Sequence, residues 1–207
     1  MTEKFPSRPY DTPEDYFHAY SDNIAQAWRS VDQSAIARGA KLLADCLTRD
    51  GIIYACGNGG SAAIANHLLC DFKKGIQTNT SIKPRVVSLA HLEIITAIAN
   101  DISYDDVFVY QLRTMARAGD LLITISSSGN SENIVRATDW AKKNNIPTIS
   151  MVGFSGGRSS KIADVTVHVD AQNYGIVEDV HQSIMHLFSQ YLRQARMTAE
   201  DIKQFKF

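Results

Sequence analysis

From residue 52 onward, short apolar runs alternate with stretches of helical spacing. Ile52–Ala55, Arg85–Leu89, Leu121–Ser126, Thr148–Val152 and Val165–Val169 read as strands. Between them, Ser61–Phe72, His91–Asn100, Val107–Ala116 and Ser131–Asn144 read as helices, with a short turn near Ser159–Ala163. The strands are near-continuous apolar runs, the mark of a parallel sheet covered on both faces. Alternation of this kind implies right-handed crossovers and a doubly wound α/β sheet, with ligands beyond the strand C-termini at the topological switch point. Two helices come first. Tyr16–Val31 carries Phe17, Tyr20, Ile24 and Trp28 at helical spacing after Thr12 as cap and Pro13 as first helical residue. Gln33–Thr48 repeats the pattern through Ile36, Ala40, Leu43 and Cys46. Lying before the first strand, these helices must cover a face of the sheet or pack on another subunit. Met1–Tyr10 reads as an arm, and an amphipathic helix over about Val177–Arg193 closes the chain's pattern. No repeat, low-complexity tract or linker divides it, so residues 1–207 are expected to form one domain: an N-terminal arm and helices to residue 50, then an α/β core.

Composition narrows the partners. With 21 basic and 22 acidic residues, a net charge of −1 and no basic run, nothing predicts a nucleic-acid surface. No apolar run approaches the ~18 residues of a membrane span. The start, MTEKFPSRPYDTPEDYF, has no apolar core of a secretory leader, and a cytoplasmic location is expected. Cys46, Cys56 and Cys70 are an odd number without CxxC spacing, which fits buried, reduced thiols.

Three stretches carry chemistry. Cys56–Asp71, CGNGGSAAIANHLLCD, joins a strand end to a glycine turn and a helix. Gly57, Gly59 and Gly60 let backbone approach a ligand, and Ser61 is a plausible N-cap over an anion site. His67 and Asp71, four residues apart, share one helix face. Ser126–Ser131, SSSGNS, follows the third strand and places short neutral donors at a helix start, which suits a phosphate dianion. Neither loop has the lysine of GxxxxGK[ST] or the spacing of GxGxxG. Ser155-Gly-Gly-Arg158 is a third glycine loop, read as a turn near the site entrance. The third stretch, EDVHQSIMH from Glu178 to His186, is dense in carboxylates and imidazoles, with Glu178 and Asp179 expected in a negative first turn. Taken alone, His181 and His186 fit core or surface positions equally well. Together, His67, Asp71, Glu178 and His186 would suit Zn²⁺ or a similar divalent ion. Glu178 and His186 are eight residues apart, or ~12 Å along a helix. Both reach one ion only if Glu178 precedes the regular helix or comes from another subunit.

CGNGGS followed by His67 and an acid four residues on, SSSGNS, and the C-terminal EDVHQSIMH together resemble the phosphoheptose isomerases of the sugar isomerase (SIS) superfamily, over nearly the whole chain. The resemblance implies a five-stranded parallel sheet of flavodoxin-like order and a homotetramer with sites at subunit interfaces. It implies conversion of sedoheptulose 7-phosphate to D-glycero-D-manno-heptose 7-phosphate. By motif, Asn58, Gly59, Gly60, Asn100 and Asp101 contact substrate, Ser126, Ser127, Ser128 and Ser131 hold the phosphate, and Ser61 lies beside it. His67, Asp71, Glu178 and His186 fall on zinc positions, Asp71 and Glu178 also meet substrate, and Asp71 with His186 form the acid–base pair. The chain departs from the family pattern in three places. The family typically has glutamate for Asp71, glutamine for Glu178 and an Asp-Arg pair for Gly175-Ile176. The departures leave two further readings: an isomerase of a different sugar phosphate, and a non-catalytic sugar-phosphate-binding or regulatory protein.

Overall fold

A computed structural model describes residues 4–207. Five strands form one all-parallel sheet: β1 (Ile52–Gly57), β2 (Arg85–Ser88), β3 (Leu121–Ser126), β4 (Thr148–Val152) and β5 (Val165–His168). Their order is β2-β1-β3-β4-β5, the flavodoxin-like arrangement expected. The register pairs Ile53 with Val86, Gly57 with Ile125, and Ser126 with Val152. The C-terminal ends of β1 and β3 therefore lie side by side at the point where the strand order reverses.

The helices are α1 (Pro13–Arg29), α2 (Gln33–Thr48), α3 (Gly60–Cys70), α4 (Leu92–Asp101), α5 (Val109–Met115), α6 (Glu132–Lys143), α7 (Tyr174–Gln194) and α8 (Ala199–Gln204). Thr12 caps α1 and Pro13 is its first residue, as the sequence predicts. Because strand side chains alternate, Ile53 and Ala55 of β1 join one apolar layer and Tyr54 and Cys56 the other. The first layer receives α1, α2, α3 and α7, and the second α4, α5 and α6. The two leading helices thus cover a face of the sheet. The first three residues of the expected arm lie outside the described ones. Beyond them, Phe5 is buried against Tyr10, Tyr16 and Tyr20. Among the described residues no helix is long and apolar enough to cross a membrane. None of the three cysteines is paired, and Cys70 is exposed rather than buried.

Candidate active site

The glycine turn after β1 differs in detail from the sequence reading. The N-cap of α3 is Gly59, in the left-handed region at φ 54°, and Ser61 lies inside the helix, buried. Asn58 is held between elements. Its Nδ2 donates to Asn133 Oδ1 at 2.9 Å, and its Oδ1 accepts from Asn133 Nδ2 and from the Tyr104 hydroxyl, each at 3.0 Å. Asn133 stands in the first turn of α6, so this amide pair ties the glycine turn to the Ser126–Ser131 loop.

That loop keeps its hydroxyls available. Ser131 is the N-cap residue of α6, yet its side chain makes no capping bond. Ser127 is buried, and its hydroxyl has no hydrogen-bond partner among the described residues. Ser126 and Ser128 Oγ accept from the backbone N–H of Gly129 and Asn130, each at 3.2 Å. The Ser155–Arg158 loop packs on this segment. Arg158 donates from its backbone to Asn130 Oδ1 at 3.0 Å and from its guanidinium to the Asn130 carbonyl at 2.9 Å. Arg158 also binds Glu132 and, with Arg136, holds that carboxyl below the usual range.

The third stretch starts earlier than its charge pattern implies. Asn173 caps the helix by accepting from Ile176 N at 3.0 Å, so α7 begins at Tyr174 and Glu178 is inside the regular helix. Three residues of α7, at intervals of one turn, face Gly60 and His67 of α3 and Asp71 just after it, in ascending order. A Cβ on Gly60 would overlap the Glu178 carboxylate. Gln182 Nε2 donates to His67 Nδ1 at 3.1 Å. His186 Nε2 lies 3.2 Å from Asp71 Oδ2, and Asp71 Oδ1 lies 3.4 Å from His67 Nε2. The helices therefore run side by side in one direction, with the Glu178 side chain against Gly60. Burial first, and Asp179 second, push the Glu178 carboxyl up.

Of the four expected metal donors, the structure brings together His67, Asp71 and His186, one ligand atom from each lying within 4.8 Å of the others. Glu178 is not in this group among the described residues. Two imidazoles and a carboxylate are zinc ligands by type, and donors around a four-coordinate zinc with bonds of ~2.0–2.2 Å sit roughly 3.4 Å apart. The 3.2 Å between His186 Nε2 and Asp71 Oδ2 matches that spacing, and with one atom of His67 within reach of both the residues fit a divalent ion. His181 is fully buried in the core, where burial pushes its pKa down to about 4. Asn100 and Asp101 are exposed at the C-terminal end of α4, where Asn100 donates to Asp101 at 2.7 Å. At the Gly175-Ile176 departure, Ile176 is in the core, and the room beside Gly175 is taken by the Tyr20 hydroxyl, which donates to Asp179 at 2.8 Å.

Residues 15–153 match the model of the SIS domain family. A phosphoheptose isomerase of Nitratidesulfovibrio vulgaris is 36% identical over 84% of this chain and 78% of its own length. The chain belongs to the phosphoheptose isomerase family. Solved structures agree in fold across the family. The phosphoheptose isomerase of Neisseria gonorrhoeae superposes with a TM-score of 0.81 at 29% identity, covering 88% of this chain and all of that one. That of Francisella tularensis gives 0.80 at 26%, covering 87% and 96%.

Sequence reasoning missed Gln182, Asn133 and Tyr104. Gln182 sits four residues from His186, a spacing that places both on one helix face. Asn133 and Tyr104 gave no comparable signal.

Proposed function

We propose that the protein is an aldose–ketose isomerase that converts sedoheptulose 7-phosphate to a heptose 7-phosphate. The observation that carries this reading is the Asp71–His186 contact at 3.2 Å. It lies at the far end of α3, roughly 16 Å of helix rise from the glycine turn at the switch point, a span that sites shared between subunits of a homotetramer would bridge. Ser127 and Ser131, whose hydroxyls are uncommitted, together with Ser126 and Ser128, hold the phosphate through neutral donors and the start of α6. Asn58, Gly59, Gly60 and Ser61 line the sugar's path, with Asn100, Asp101 and Glu178 as further contacts.

Isomerisation moves a proton between neighbouring carbons through an enediol, and it needs a positioned base, a partner acid and stabilisation of the oxygen that gains charge. Asp71 and His186 exchange the proton, each within reach of the other. When bound at His67, Asp71 and His186, a Zn²⁺ ion supplies Lewis-acid polarisation of the substrate oxygens. Gln182 holds the His67 and His186 rings in place around that pair. A homotetramer and a cytoplasmic location complete the reading. Exposed apolar side chains on α1 and α4, led by Phe17 and Leu92, support association of subunits.

The test is turnover of sedoheptulose 7-phosphate by the purified protein, with and without added zinc. Asp71→Asn is expected to cut turnover by about 10²–10⁴-fold, the usual worth of a positioned acid or base. Sugar-phosphate affinity by calorimetry should largely survive, because the phosphate loop is separate. Tight binding without turnover in the unmodified protein would replace the isomerase with a binding protein.

A further inference from the structure

Glu178 stands where the family typically carries glutamine, and its carboxylate packs at Gly60, at the head of α3. Gln182, one turn further along α7, reaches the donor group. Its amide nitrogen lies 3.1 Å from His67 Nδ1 and 2.9 Å from His186 Nε2. Helix geometry explains the difference. Glu178 is separated from His186 by ~12 Å of helix rise, whereas Gln182 is ~6 Å away on the same face.

We propose that Gln182 is the fourth protein donor of the metal site formed by His67, Asp71 and His186, so that the carboxamide has moved one helical turn along α7. The proposal rests on the metal-assisted isomerase reading above. A half-turn about the last side-chain bond exchanges the amide oxygen and nitrogen without moving the rest of the residue. The side chain that now bridges His67 Nδ1 and His186 Nε2 can thus present an oxygen to a cation those two nitrogens share, with Asp71 Oδ2 3.2 Å from His186 Nε2 beside it. The charge balance follows from the donor set. Two neutral imidazoles, one carboxylate and a neutral amide leave a dication with one net positive charge, where Glu178 as ligand would cancel it. A net positive ion keeps more pull on a substrate oxygen. Glu178 is released to face the glycine turn.

The experiment measures metal, not turnover. Chelator-stripped protein is titrated with Zn²⁺ against a chromophoric chelator, and with Co²⁺ followed by its visible absorption band. Gln182→Leu is expected to weaken Zn²⁺ binding by about tenfold or more. Gln182→Glu should keep the affinity and shift the Co²⁺ band, because the donor changes from amide to carboxylate. It also preserves the length of the side chain, so it carries the test if the leucine variant does not fold. Glu178→Gln should leave affinity and band as they were. Wild-type affinity in Gln182→Leu, an unmoved band in Gln182→Glu, or loss of metal in Glu178→Gln would each overturn the assignment while leaving the site itself standing. A wild-type protein that takes up neither ion would overturn the assignment and the metal reading together. Metal binding that depends on Gln182 without turnover of sedoheptulose 7-phosphate would uphold the assignment and sink the isomerase.

Discussion

Asp71 is one methylene shorter than the glutamate usual at its position, yet its two oxygens reach two different rings, at 3.4 and 3.2 Å. The backbone helps account for this. Regular α3 ends at Cys70, and a π-helical turn takes over from Asp71 to Ile76, widening the helix where the acid sits. Such turns recur at functional sites because they re-aim a side chain. Asn58 gains its position in another way, through a buried partner. Asn133 meets both ends of the Asn58 amide, so Asn133→Leu leaves Asn58 Nδ2 without its partner and Asn58 Oδ1 with Tyr104 alone at a half-buried site. The expected cost is about 1–3 kcal/mol in urea unfolding, together with a raised KM for sugar phosphate. Unchanged stability and KM would remove Asn133 from any role in the site. The sequence exposed Asn58 through its glycine neighbours, but not Asn133, which lies 75 residues away. An uncharged amide leaves no signature until the fold brings its partner alongside.

Elements with strong periodicity were legible, and elements set by caps were less so. The five strands and the helices between them follow the apolar pattern because burial on both faces leaves little freedom in it. The start of α7 was misplaced by three residues because the acidic pair Glu178-Asp179 looked like a first turn, while Asn173 was the actual cap. That shift places Glu178 in the regular helix, where it meets Gly60 and not the donors. Helix α8 went unread, although Thr198 and Asp201 form a reciprocal cap at its start. The phosphate loop depends on a neighbouring element as well. Gly129 has φ 62°, and a Cβ there would overlap the carbonyl of Gly156 in the Ser155–Arg158 loop. Gly129→Ala is therefore expected to cost about 1–3 kcal/mol from backbone strain, with added cost from the overlap. It should also weaken phosphate binding. A variant as stable as wild type in urea would show that the two loops are not packed as tightly as the geometry requires.

At the scale of the molecule, two apolar surfaces are left uncovered on different sides of the sheet. One runs along α4 and the segment after it, through Leu92 (72% exposed), Ile94 and Ile102 (51%). The other lies over α1, α2 and α7, where grooves of about 610, 340 and 390 Å³ are lined by Trp28, Ile36, Leu187 and Tyr191. A tetramer of dihedral symmetry needs two distinct self-complementary contacts per subunit, and a chain with two separate apolar faces can supply both. The first groove also includes His186, so a subunit seated there would close the site from its open side. On the homotetramer proposed above, assembly and activity would be linked. Leu92→Asp should break one contact and leave dimers joined through the α1–α2–α7 face. Tyr191→Asp should break the other and also lower turnover, because it opens the side of the site next to His186. Light scattering at assay concentration measures the first effect and sedoheptulose 7-phosphate turnover the second. Full activity from a wild-type monomer would dispose of shared sites altogether. If both variants gave dimers but Tyr191→Asp kept wild-type turnover, the tetramer would stand while the groove lost its link to catalysis.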